Sequence, residues 1–251
     1  YTASHELLHL LMLLRGFPQI FFQLSLGDRE LDEQMMIMST DLYNVAMHRV
    51  VVAEQRKHGF INDRVEEEYL KGVEHTLTPE SEDDDERALR LLTLLDALVF
   101  FGDHLAKYEE QLQNNYPKAL AAAKKIYAEI TKKPIKNAFD MWRSIVKIYS
   151  LYDQQMEEWG LPALNNDKFT TLSPVLSERQ LRLEVRQVFE IFNSGMKDRK
   201  TGKPAYVGLR RNIGQNSFTT AKHSPEEFKQ IYDQPVKEFL EQNHIPYIIR
   251  K

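Results

Sequence analysis

Apolar residues recur at helical intervals, not alternating ones, over most of this chain. Between Asp28 and His58, the residues Leu31, Met35, Met38, Leu42 and Val45 fall on one stripe. Met36, Met47 and Val51 give the same stretch a second apolar side, as a centrally placed helix would have. Glu86 to Asn114 repeats the pattern through Leu89, Leu92, Leu95, Leu98 and Val99, and Pro134 to Trp159 through Phe139, Trp142, Val146, Tyr149 and Met156. Ten glycines in 251 residues leave little material for tight hairpins or phosphate-cradling loops.

Shorter helices are expected over Ser4–Arg15, Asn62–His75, Lys118–Lys132, Ser177–Phe192 and Ser224–Asn243, with Ser4, Ser177 and Ser224 as N-caps. Ile20 to Leu24 reads as a buried helical turn. The run Glu80-Ser81-Glu82-Asp83-Asp84-Asp85 reads as a solvated loop. The expected fold is all-α and bundle-like, with about eight helices and one irregular basic segment. The loop 161–175, with Asn165-Asn166-Asp167 and Ser173-Pro174, is the expected boundary. It separates a helical domain, 1–160, from a C-terminal helical subdomain, 161–251.

That subdomain changes character over 194–223. Lys197, Arg199, Lys200, Lys203, Arg210, Arg211 and Lys222 mingle there with four glycines. Lys203, Arg210 and Arg211 are the candidates for holding an acidic partner; a solvated basic loop is the plainer alternative. The net charge of −4 argues against nucleic acid as a partner. The absence of cysteine excludes disulfides, thiolate metal sites and a cysteine nucleophile, and fits an intracellular protein, the cytoplasm favoured over translocation. Leu10 to Leu14 is far short of the ~20 apolar residues of a membrane span.

The chemistry-bearing feature is Ser4-His5-Glu6-Leu7-Leu8-His9-Leu10. On a helix, residues i and i+4 share a face, so both imidazoles can meet one ion while Glu6 stands beside His5. This segment resembles the active-site helix of the zincin class of zinc metallopeptidases, over about nine residues. The resemblance implies Zn2+ as cofactor, His5 and His9 as ligands, and Glu6 as the catalytic base acting on a zinc-activated water. A catalytic zinc needs a third protein ligand. One branch of the class takes it from a glutamate on the following helix, twenty-odd residues on, where Glu33 and Glu30 lie. Glu33 is the first choice because it shares a face with Ile37 and Asn44; Glu54 and His48 stand behind.

Two other metal arrangements fit less well. The Asp103-His104 pair has the reverse of the metal-phosphohydrolase order. Glu6-x-x-His9 with Glu241-x-x-His244 has di-iron spacing, but His244 sits at a helix end beside Pro246. The expected function is therefore a zinc-dependent metalloprotease cleaving a protein or peptide. The alternative is a non-enzymatic all-helical protein-interaction module, in which the histidines merely hydrogen-bond.

Overall fold

The computed structural model describes residues 1–81 and 86–250; residues 82–85 of the expected acidic loop lie outside them. The chain is mixed α/β and corrects the all-α expectation, because a curled four-stranded antiparallel sheet accompanies the helices. It divides into two compact units, each assembled from separate stretches, and two of the five points where the chain passes between them fall inside helices.

The first unit comprises residues 1–15, 41–135 and 151–163. It holds α1 (Thr2–Leu14), the C-terminal part of α2 (Arg29–Lys57), α3 (Asp63–Thr76), α4 (Arg87–Phe101), α5 (Glu109–Asn115), α6 (Pro117–Thr131) and the end of α7 (Ala138–Glu158). Its centre is α4, in which Leu91, Leu92, Leu94, Leu95, Leu98, Phe100 and Phe101 are all buried. A helix apolar around its whole circumference has no face to give to water, so the other helices enclose it. α6 packs along it through Ala119, Leu120, Ala123 and Ile126, where alanines permit close approach. One carboxylate is buried outright: the Glu66 side chain is 1% exposed. Arg56 Nη1 and His104 Nδ1 each approach it at 2.7 Å, and the Tyr108 hydroxyl donates to it at 3.3 Å.

The second unit comprises residues 16–40, 136–150 and 164–251. Its helices are the start of α2, most of α7, α8 (Asn166–Phe169), α9 (Glu178–Leu181), α10 (Val185–Val188), α11 (Pro225–Asp233) and α12 (Val236–Gln242). Its strands are β1 (Ile20–Phe21), β2 (Leu24–Ser25), β3 (Thr171–Leu172), β4 (Val175–Leu176), β5 (Phe189–Asp198), β6 (Pro204–Arg210), β7 (Asn216–Ala221) and β8 (Ile248–Ile249). The main sheet runs β2-β5-β6-β7, all antiparallel, with register shifts in both the β5–β6 and β6–β7 ladders that bend it. β1 pairs with β3, and β4 runs parallel to β8.

Three expectations change here. Residues 20–24 hold two short strands, β1 and the start of β2, not a helical turn. The helix expected over Ser177–Phe192 is two four-residue helices, α9 and α10, and the second stops at Val188, where β5 begins. The basic segment 194–223 is sheet, not an irregular loop. Ser177 and Ser224 do cap helices, each closing a reciprocal capping box with Gln180 or Glu227. Gly208 in β6 is fixed by packing: a Cβ there would run into the Phe218 ring of β7.

Candidate metal centre

α1 carries its two histidines on the inner side. Gly16, with φ of +74°, follows the cap residue Arg15 and ends the helix. Ser4 lies inside the first turn rather than at the N-cap, and its hydroxyl donates to Tyr1 O at 2.7 Å. Gln55 of α2 donates through Nε2 to Tyr1 O at 3.1 Å and to Ser4 Oγ at 2.8 Å. These bonds pin the first turn of α1 to α2. Met12 is buried on the inner side, whereas Leu7 and Leu14 on the outer side are 65% and 75% exposed.

The pinned helix brings His5 and His9 together. Their Nε2 atoms are 3.2 Å apart. His48 of α2 joins them, its ring centroid 4.8 Å from that of His5 and 5.3 Å from that of His9. One nitrogen from each of the three lies within 4.8 Å of the others. Two nitrogens bound to one tetrahedral zinc at about 2.05 Å would stand about 3.3 Å apart, so the His5–His9 spacing fits such a group without rearrangement.

Behind His48 stands a second layer. His48 Nδ1 is 2.6 Å from Asp96 Oδ1, and the Tyr69 hydroxyl donates to Asp96 Oδ2 at 2.8 Å. Asp96 is the one acid in α4. With Nδ1 held by a carboxylate, His48 is left to present Nε2, the tautomer arrangement that supporting carboxylates impose on metal-ligating histidines. His5 Nδ1 is buried without a hydrogen bond of ordinary geometry, as is Oε1 of the neighbouring Gln55.

The electrostatics separate the three rings. Burial, then the charge of His48 and of His5, pushes His9 down to about 4. Burial and His48 also lower His5. For His48 burial works downward too, but the charge of Asp96 and the hydrogen bond to it prevail, and its pKa is raised. Burial pushes Asp96 up, yet His48 and the Tyr69 hydroxyl outweigh it and hold the carboxyl below its usual range. At neutral pH, His5 and His9 are therefore neutral imidazoles, each with one ring nitrogen free of a proton. Glu6 is exposed, makes no hydrogen bond or ion pair with another described residue, and acts electrostatically on all three rings.

Other sequence candidates lie elsewhere. Glu33 is half exposed and paired with Arg29 at 2.8 Å, and Glu30 is exposed. Glu54 pairs with Lys57 and His58. None of the three joins the histidines. His104 is engaged by Glu66, and the Tyr247 hydroxyl donates to Glu241 at 3.0 Å. Lys203 is exposed in the β5–β6 turn, at the opposite end of β6 from Arg210, roughly 20 Å along the strand. Arg210 is buried over the Phe189 ring, which pushes its pKa down to about 10. Arg211 is exposed and donates to Arg186 O at 2.6 Å. These three residues make no single basic patch.

The chain matches no family model, no curated protein and no solved structure. The likeness to zincins stays with the short motif on α1. Among the described residues, no helix is long and apolar enough to cross a membrane.

Proposed function

We propose that this protein is a zinc-dependent hydrolase, with His5, His9 and His48 as ligands and Glu6 as general base. The carrying observation is the convergence of three imidazoles, two of them 3.2 Å apart and the third backed by Asp96. Three protein ligands leave a fourth place open, as catalytic zinc sites do and closed structural sites do not. Zinc bound there would supply Lewis-acid polarisation of a carbonyl and a water of lowered pKa.

The chain's own residues account for the rest. Asp96, fixed by Tyr69, orients His48. Gln55 orients His5 through the first turn of α1. Glu6, free of other partners and open to solvent, accepts a proton from the attacking water and returns it to the leaving group. The motif favours the peptide bond of a protein or peptide as substrate.

The test is metal content followed by turnover. Purified protein is expected to carry about one zinc per chain, lost in His9→Ala and in His48→Ala. Glu6→Gln is expected to keep the zinc and lose peptide hydrolysis. Protein that binds no zinc in the micromolar range with His48 intact would end this reading.

A second reading, a protein-binding module without chemistry, draws on a different observation. Leu7, Leu10 and Leu14 are 65%, 50% and 75% exposed along one side of α1, more apolar surface than a solvated helix ordinarily presents. This reading predicts full partner binding in the zinc-free His9→Ala protein and its loss in Leu10→Arg.

A further inference from the structure

The second unit contains a cavity of about 310 Å³ between β1, β3, β7 and the end of α12. That volume sits at the lower bound of small-molecule sites. No lysine, arginine, aspartate or glutamate lines it, and His244 is its one titratable group. A charged ligand would find no counter-ion, and burying an unpaired charge is costly. A purely apolar ligand is disfavoured as well, because Thr171, Ser173, Thr219 and Thr220 are among the lining residues, although the Ser173 hydroxyl donates to Gln19 O at 3.2 Å and that of Thr220 is paired with His223. The half-buried Phe21 ring supplies apolar surface, with Phe218 and Phe239 buried in the core behind the wall.

Some of these polar atoms are committed and some are spare. Thr171 Oγ1 accepts from Asn216 Nδ2 at 3.1 Å and donates to Gln23 Oε1 at 3.3 Å. Asn243 Nδ2 donates to Phe239 O at 2.8 Å, leaving Oδ1. Gln23 Nε2 and the His244 imidazole have no hydrogen-bond partner among the described residues.

His244 adds an independent signal. It occupies the left-handed conformation, φ +52°, just past α12, where Ile245 N closes back on Leu240 O at 2.9 Å. Glycine is the easy residue at such a helix end, and a β-carbon there costs stability. A strained non-glycine residue whose side chain lines a cavity points to a use for that side chain.

We propose that this cavity binds a neutral sugar ring, a pyranose. The C–H face of the ring would lie on Phe21. Its hydroxyls would exchange hydrogen bonds with the threonines, Gln23, Asn243 and His244. Uncharged walls with mixed hydroxyl and amide groups beside the Phe21 ring suit such a ligand, whereas a phosphorylated one would find no counter-charge.

The experiment is an NMR titration of the full chain with the methyl glycosides of glucose, galactose and mannose, and with N-acetylglucosamine. Glucose 6-phosphate and adenosine serve as counter-probes. At least one neutral sugar is expected to shift the amides of 217–220 and 243–246, with the phosphorylated sugar and the nucleoside weaker. His244→Gly is expected to hold or raise the melting temperature while weakening sugar binding about fivefold or more. That split separates a ligand contact from a merely structural residue. Thr219→Val is expected to weaken binding without loss of the sheet. The proposal falls if no neutral sugar binds at about 20 mM. It also falls if adenosine or glucose 6-phosphate binds more tightly, or if His244→Gly binds as the parent does.

Discussion

Asp96 Oδ1 stands 2.6 Å from Nδ1 of His48, and its other oxygen is held by the Tyr69 hydroxyl. The carboxylate therefore has both a fixed orientation and a fixed target. Asp96→Asn keeps the shape but removes the charge that raises His48 and sets its tautomer. Zinc affinity is expected to fall about 10- to 100-fold, with the fold intact by circular dichroism. Tyr69→Phe should move affinity in the same direction by less, because one oxygen of Asp96 stays bonded to His48. Unchanged zinc affinity in Asp96→Asn would detach this pair from the site.

The depressed His9 pKa makes a signed prediction for metal-free protein. His9 is neutral in the folded state down to about pH 4, while an unfolded histidine takes up its proton near 6.5. Between those values the unfolded state binds more protons, so stability contributed by His9 is lost as pH falls from about 6.5 towards 4. His48 works in the opposite sense, its raised pKa favouring the folded state at low pH. Removing the first effect alone, His9→Gln is expected to flatten the acid side of the denaturation-midpoint profile. An unchanged slope in that variant would contradict the assignment.

Glu66 is a buried carboxylate served by Arg56, His104 and Tyr108. Glu66→Ala strands the Arg56 guanidinium and is expected to cost about 3–5 kcal/mol, read by urea denaturation. A double change, Glu66→Leu with Arg56→Met, is expected to recover much of that loss. Equal instability in single and double variants would show that burial of the pair matters less than the shape it fills.

Gly208→Ala places a methyl group against the Phe218 ring. The expected cost is about 1–3 kcal/mol, with the β6–β7 register disturbed in amide exchange. Phe218→Leu in the same chain should relieve part of it. If Gly208→Ala alone unfolds at the parental denaturant midpoint, the two strands pack less closely than they do here.

Much of the first unit could be read from the chain. Helix spacing locates α2, α4 and α7, because their apolar stripes are long, although the helix expected over 86–114 breaks at Gly102 after α4. The inward pair His5 and His9 follows from the i, i+4 rule alone. The sheet hides for a physical reason. In β5 the inward positions include Ser194 and Asp198, so the alternation that marks a strand is not written in hydrophobicity. Leu181, Val185, Val188, Phe189 and Phe192 are spaced as a helix would have them, although the helix ends at Val188. His48 ranked behind the glutamates because ligand-spacing arguments look near in sequence. Two signals point to it: His48 continues the buried side of α2 between Val45 and Val52, and Asp96 is the lone acid in the leucine-rich α4.

The three imidazoles and Asp96 all lie within the first hundred residues, yet the unit that houses them also takes in residues 151–163. A ribosome adding about 5–20 residues per second emits the three histidines and Asp96 several seconds before that last strip. During this interval the histidines belong to an unfinished scaffold that exposes the leucine-rich α4. Nascent chains stalled short of residue 151 should thus engage holding chaperones and capture metal poorly, and release beyond residue 163 should end both conditions together.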